Sequence, residues 1–275
     1  MYLVTGAKGQ LGTELSKILP SGTIYTDTDE LDITNEKKVF DFVEKYNPDA
    51  IINCAAYTNV DMAEDNPELA KRINVKGPRN LARTKINLIH ISTDYVFDGM
   101  SCQPYSPSDS ANPLSVYGRT KLEGEATAIR NGKNVVVIRT AWLYSPYGNN
   151  FVKTMQRLGA SREYVNVVYD QIGTPTYAAD LAAAIYKILP QMNLGGRGIY
   201  HFTNAGVCSW YDFARKVMEL SGLNCRVNPI RSFQYPTRAK RPSYSVLDKE
   251  KIRHVFGVEI RHWEEALKDC IEHMR

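Results

Sequence analysis

Paired cysteines, a membrane-length apolar run, an excess of one charge and clustered metal ligands are all missing from this chain of 275 residues. The five cysteines, Cys54, Cys102, Cys208, Cys225 and Cys270, are odd in number and scattered. They make no disulfide framework and no paired-thiol zinc site, and they read as reduced thiols of a cytoplasmic protein. No apolar run approaches the roughly 20 residues of a spanning helix. The chain enters a strand at once, so neither leader nor membrane attachment is expected. Lys plus Arg number 34 against 30 Asp plus Glu, a net charge of +4, which is too balanced for a nucleic-acid protein as a class. The five histidines are dispersed, no His/Asp/Glu grouping suggests a metal, and no nucleophile elbow supports a hydrolase. Repeats and low-complexity segments are absent as well.

What is present begins with a strand, Tyr2 to Thr5, running into Gly6-Ala-Lys-Gly9-Gln10-Leu11-Gly12. Leu11, Leu15, Ile18 and Leu19 then give a helical stripe that stops at Pro20. Strand, glycine loop and helix in this order suit dinucleotide pyrophosphate: the glycines admit close backbone approach, and the helix N-terminus supplies N–H groups. The spacing is Gly-x-x-Gly-x-x-Gly, and a purely structural turn is the competing reading. Asp27 lies at the end of the second strand, where an acidic side chain accepts from the adenosine ribose hydroxyls. A third strand, Ala50 to Cys54, ends in Ala55 and Ala56 and is followed by Tyr57 and Thr58. Small residues there leave a dinucleotide groove open. This alternation predicts an α/β fold: a Rossmann-like, doubly wound parallel sheet with ligands at the strand C-termini.

The chemistry concentrates between His90 and Lys121. Leu88, Ile89 and Ile91 read as a buried strand delivering Ser92, Thr93 and Asp94 to its end. Ser115 starts a helix on which Tyr117 and Lys121 sit one turn apart. A phenol loses its proton near pH ~10, and a neighbouring ammonium is expected to lower that value. The pair can then protonate a carbonyl oxygen that the Thr93 hydroxyl also holds. His90 reads as a core residue. The helix over 67–84 is interrupted by Asn74, Gly77 and Asn80, read as close packing and capping. After Tyr144 the elements shorten and aromatics cluster, which places a smaller mixed α/β substrate-binding region over 146–275. The dinucleotide-binding domain then covers 1–145 and is completed by parts of 160–205. The basic stretch Arg238 to Arg241, flanked by prolines, has two open readings: a solvated turn, or a ladder for a diphosphate.

Taken together, the glycine loop, Thr-Asp-Tyr-Val-Phe-Asp-Gly (93–99), Val-Tyr-Gly-Arg-Thr-Lys-Leu-Glu-Gly-Glu (116–125), Arg-Thr-Ala-Trp-Leu-Tyr (139–144), Asp-Gln-Ile-Gly-Thr-Pro-Thr (170–176) and Arg-Pro-x-x-Ser-x-Leu-Asp (241–248) resemble the extended short-chain dehydrogenase/reductases. Within them the chain is most similar to the dTDP-4-dehydrorhamnose reductase family, over nearly its whole length. The resemblance implies NADH or NADPH as cofactor, a dTDP-sugar as substrate, and a monomer or homodimer. It assigns Gly9, Gln10 and Leu11 to the pyrophosphate, Asp27 to the ribose, and Asp32 and Ile33 to the adenine end. Ala56, Tyr57 and Thr58 would flank the nicotinamide half, Thr93 and Asp94 the sugar. Tyr117 would be the proton donor, and Lys121 would hold ribose and tyrosine. Trp142 would meet the deoxysugar, with Asn150 and Arg241 on the nucleotide side. The connection from Ala82 to Leu88 is shorter than the family's. Glu14 matches a metal-ligand position of some members, but Ala179-Asp180 stands where another is expected, so no metal is carried over. An epimerase that returns the hydride, and a non-catalytic regulatory subunit of the methionine adenosyltransferase type, resemble these motifs too.

Overall fold

The computed structural model describes residues 1–194 and 196–274. Strand β1 (Tyr2–Thr5), helix α1 (Gln10–Ile18), β2 (Ile24–Thr26), α2 (Glu36–Tyr46) and β3 (Ala50–Asn53) build the first βαβαβ half. A short α3 (Val60–Asp65) follows, then α4 (Pro67–Lys71) and α5 (Gly77–Arg83), joined without a break by a π-helical turn over Arg72–Lys76. Next come β4 (Asn87–Thr93), α6 (Val116–Asn131) and β5 (Val135–Thr140). Beyond them lie β6 (Leu143–Tyr144), α7 (Phe151–Ser161), β7 (Tyr164–Val168), β8 (Ile172–Gly173), β9 (Thr176–Tyr177), α8 (Ala178–Ile188), β10 (Gly198–His201) and β11 (Cys208–Ser209). The chain closes with α9 (Trp210–Ser221), β12 (Arg226–Ile230), α10 (Glu250–Phe256) and α11 (Trp263–Glu272).

Six parallel strands form the main sheet in the order β2-β1-β3-β4-β5-β10. The strands read as continuous apolar runs because both faces are covered. Val4, Ile52, Ile89, Val136 and Ile138 point to one face, against Leu11 and Leu15 of α1 and Leu181 and Ile185 of α8. Leu3, Ile51, Leu88, Val135 and Val137 point to the other, against Val39, Val43, Leu81 and Ala128. Ile18, placed by its spacing on an apolar face, is exposed, and so is Phe40 of α2. A further core lies under α7, α9 and α11, around Tyr144, Val152, Phe213, Val217 and Leu267. The cut near residue 145 is not clean. Helix α8 packs on α1, β10 completes the sheet beside β5, and Ile252 and Phe256 of α10 join the sheet's core.

Three features depart from the sequence reading. The stretch after Asp170, which shows no strand pattern, contains β8, paired with β11 and bridged at Ile172 to Tyr244, and β9, paired with β6. Helix α3 and strand β12 carry too short a pattern to be read in advance. Asn74 and Asn80 do not cap a helix. Asn74, in the π turn, accepts from Tyr57 N at 2.8 Å and donates to Tyr57 O and to Thr120 Oγ1 at 3.2 and 3.1 Å. Asn80 donates to Ile33 O at 3.0 Å. Each ties a helix to a loop at the sheet's ligand end.

Candidate active site

Strand order reverses between β1 and β3, so their C-terminal ends open into a crevice. Gly6 sits there with φ +69°, and a Cβ on it would come within 2.6 Å of Ala55 N. A Cβ on Gly12 would meet Ala7 O at 2.5 Å. The loop is thus folded back on itself, and Gly9 offers α1 no side-chain cap. The first N–H groups of α1 face the crevice without a side chain of their own, which is a cradle for an anion. Asp27 accepts from Lys8 N at 2.9 Å, joining the end of β2 to the loop. Ile33 is buried, and Asp32 accepts from Thr34 N at 2.9 Å within the same turn. A groove of about 800 Å³ opens beside Asp32, lined also by Thr34, Phe40, Arg72 and Lys76; it includes none of the Thr93, Tyr117 and Lys121 group. On the other wall, Ala55 N donates to Asn53 Oδ1 at 3.2 Å, Ala56 follows, and Asn74 clamps Tyr57; Thr58 is exposed. These residues fit a dinucleotide: backbone donors at one end, small side chains along the wall, an acceptor where ribose hydroxyls would lie.

At the end of β4, Thr93 Oγ1 accepts from Tyr95 N at 3.2 Å and donates to Asp94 at 3.1 Å. The helix carrying Tyr117 and Lys121 presses close: a Cβ on Gly118 would lie 2.2 Å from Tyr95 O, and one on Gly124 2.1 Å from Asn74 O. Tyr117 is 9% exposed, and the Tyr95 ring meets it edge-on at 5.5 Å. Burial pushes the Tyr117 phenol well above its ordinary pKa, and the Thr93 hydroxyl only partly offsets this. That corrects the expectation that Lys121 lowers it, because burial outweighs the ammonium, which donates to Ile91 O at 2.6 Å. Lys121 itself is brought down to about 8 by burial, with Glu125 acting the other way. Burial raises Asp94 to about 6, against the hydroxyls of Ser245 and Thr93. A phenol that keeps its proton is an acid at neutral pH.

His90 is a core group: its Nδ1 meets the Asn53 amide nitrogen at 3.0 Å. Thr5 Oγ1 and Ala55 N both donate to Asn53 Oδ1, so the amide NH₂ faces the ring and Nδ1 accepts. Trp142, just after β5, has φ +48°, a left-handed conformation costing a bulky residue about 1–3 kcal/mol. Stacking on Trp210, with ring centroids 3.6 Å apart, holds it there. Asn150 caps α7 through Lys153 N and donates to Gln10 Oε1 at 3.0 Å, so it braces the glycine loop. The basic segment lies against α3. Arg238 pairs with Asp65, Arg241 with Asp61 at 2.9 Å, and Arg241 also reaches Tyr95 Oη at 3.4 Å. Neither open reading foresaw this carboxylate partnership. Trp210 and Asp61 are site neighbours that sequence patterns did not mark; Tyr95, Glu125 and Arg139 lie within the quoted motifs, but their pairings did not show in the sequence. Glu14 is paired with Lys17 at 2.7 Å, and Asp180 with Arg261 at 2.8 Å.

The sheet order, the glycine cradle at its switch point and the Tyr-x-x-x-Lys helix beside β4 define an extended short-chain dehydrogenase/reductase. The model of the family described as RmlD substrate binding domain matches residues 1–275, and the chain belongs to that family. It is 44% identical to a dTDP-4-dehydrorhamnose reductase of Aggregatibacter actinomycetemcomitans, covering 97% of each chain. The crystal structure of a dTDP-4-dehydrorhamnose reductase from Clostridium acetobutylicum superposes with a TM-score of 0.96 at 44% identity, covering 99% of each chain. That of the Bacillus anthracis dTDP-4-dehydrorhamnose reductase in complex with NADP gives 0.95 at 39% identity, covering 99% of this chain and 98% of the other. Among the described residues no helix is long and apolar enough to cross a membrane.

Proposed function

We propose that the chain reduces the C4 keto group of dTDP-4-dehydro-6-deoxy-L-mannose to give dTDP-L-rhamnose, using NADH or NADPH. What carries the reading is the placement of Thr93, Tyr117 and Lys121 at the end of β4, beside the glycine cradle. Gly6, Gly9, Gln10, Leu11 and Gly12 would hold the pyrophosphate, Asp27 the ribose, Asp32 and Ile33 the adenine end, and Ala55 to Thr58 the nicotinamide half. When bound in this cradle, the reduced nicotinamide would be the source of the hydride for C4. Tyr117 then gives its proton to the oxygen as charge develops there, and Thr93 holds the same oxygen. Lys121, buried and cationic, favours the phenolate left behind. Trp142 and Asp94 would orient the sugar, and binding energy from the remote nucleotide would align the ketone. In this reading residues 1–145, completed by parts of 160–205, serve the cofactor and 146–275 mainly the sugar nucleotide. The enzyme works in the cytoplasm as a monomer or homodimer.

Incubated with reduced cofactor and this keto sugar, the protein should oxidise one nicotinamide per sugar and release dTDP-L-rhamnose. A new sugar with no net loss of reduced cofactor would mean an epimerase; no turnover with any nucleotide keto sugar would mean a binding module.

Cofactor choice should follow Asp27. Its carboxylate repels a 2′-phosphate, and Lys8, 3.6 Å from Asp29, is the cation that offsets it. NADH should be used at least as well as NADPH, and Asp27→Ala should shift the preference about tenfold toward NADPH. A strong NADPH preference left unchanged by that substitution would remove Asp27 from the ribose. For the basic segment, Arg241→Ala should weaken dTDP binding by about 1.5–3 kcal/mol and leave NADH binding alone. Asp61 already takes up part of the Arg241 charge, so the lower end is expected. Equal calorimetric affinities would make the segment a strap and no more.

A further inference from the structure

Beneath the Thr93, Tyr117 and Lys121 group lies an ion pair cut off from water. Glu125 and Arg139 have side chains 1% and 3% exposed. Glu125 stands on α6 one turn beyond Lys121 and two beyond Tyr117. Arg139, on β5, binds it through Nε at 2.9 Å and Nη2 at 2.7 Å. Ser92, the residue before Thr93 and the register partner of Arg139, donates its hydroxyl to Glu125 at 2.5 Å. Three elements therefore meet on one carboxylate. The same strand, through Ile91 O, holds the Lys121 ammonium. Burying two charges is costly unless geometry is nearly complete, and replacement by apolar residues is often neutral for stability. A pair kept at this position points to a task besides folding.

We propose that Glu125 is a positioning residue for the reaction: clamped by Ser92 and Arg139, it sets the placement of Lys121 relative to Thr93, and its negative charge keeps the Lys121 ammonium charged. This rests on the reading of Lys121 as the cation that supports Tyr117. The groups facing Lys121 are few. Glu125 lies on its own helix, His90 on β4 and Cys54 after β3. Burial holds His90 neutral by lowering it well below its usual value, pushes Cys54 up to about 12, and raises Tyr117. Asp94, next to Thr93, is raised by burial to about 6 and so lies on the acid side of neutrality. Lys121, lowered to about 8 by burial despite Glu125, is then the group left to titrate on the alkaline side. Lys249 is also brought down to about 8 by burial, but it reaches Thr203 near the β10 edge, away from this group.

The sign follows directly. Burial lowers Lys121 and Glu125 opposes it, so removing the carboxylate lets the ammonium lose its proton at lower pH. In Glu125→Gln the alkaline limb of kcat should move down by about one pH unit, with NADH affinity by fluorescence titration within about twofold of wild type. Glu125→Asp keeps the charge and retracts it, so the limb should return toward wild type while kcat stays about tenfold lower. A uniform loss at every pH with an unmoved limb, or wild-type behaviour in both variants, would overturn the proposal. Should Glu125→Gln not fold, Ser92→Ala removes only the strand tether, and kcat should fall about tenfold with the limb in place. Unchanged kcat there would also overturn it. If Lys121→Met keeps full activity, the reading of Lys121 fails first. If Lys121→Met is inactive while the Glu125→Gln limb stays put, only this proposal fails.

Discussion

Replacing Tyr117 by Phe should lower turnover by about 10²–10⁴ and leave cofactor binding intact. The substitution removes one oxygen and no packing surface, and the ring keeps its edge-on partner Tyr95. The phenol is buried and holds its proton, so it enters the reaction loaded as an acid. Water cannot readily take its place, because Tyr117 is 9% and Thr93 5% exposed. Single-turnover oxidation of NADH with the keto sugar would separate the proton step from binding. Full activity in the Phe variant would leave the site without its proton donor and end the mechanism as written.

The second large effect is on stability. Arg139→Met should destabilise the chain by about 3–5 kcal/mol, because it strands the Glu125 carboxylate where it is 1% exposed. At about 2–4 °C per kcal/mol for a chain of this size, the melting temperature should fall by roughly 10 °C. The Arg139 guanidinium also lies over the Phe97 ring, 5.1 Å from its centroid, so some packing is lost with the charge. Pairing it with Glu125→Leu should restore much of the loss, since no charge is then left unpaired and only the neutral Ser92 hydroxyl loses its partner. Circular-dichroism melts of the wild type, the single and the double variant test this asymmetry. A single variant as stable as wild type would mean that Glu125 finds another partner or water.

Much of the fold was legible in local pattern. Val4, Ile52, Ile89 and the valines of β5 sit in unbroken apolar runs, which only a sheet covered on both faces requires. The glycine loop after β1 and Ser115 ahead of Tyr117 are short-range signals, and both landed where the pattern put them. Elements of two to six residues, such as β8, β9 and α3, carry too few positions to show a period. They are held by partners far away in sequence: Ile172 by Ser209, Leu143 by Thr176, and α3 by Ala239 and Arg241.

By itself the sequence determined the parallel sheet, the cradle for a dinucleotide and the Tyr117–Lys121 pair, because each follows from residues close along the chain. The proton affinities within that pair were decided by tertiary structure. Spacing puts an ammonium one turn from a phenol, but burial outweighs it and raises Tyr117 instead. The partnership of the carboxylate beneath Lys121 was likewise out of reach. Glu125, Ser92 and Arg139 come from a helix and two strands, and only the packing of α6 across β4 and β5 brings them within hydrogen-bonding distance. The same holds for Arg241, whose guanidinium is paired with Asp61, a residue 180 positions away. A side chain's type is written in the sequence, whereas its charge state depends on desolvation and neighbours that exist only once the chain has folded.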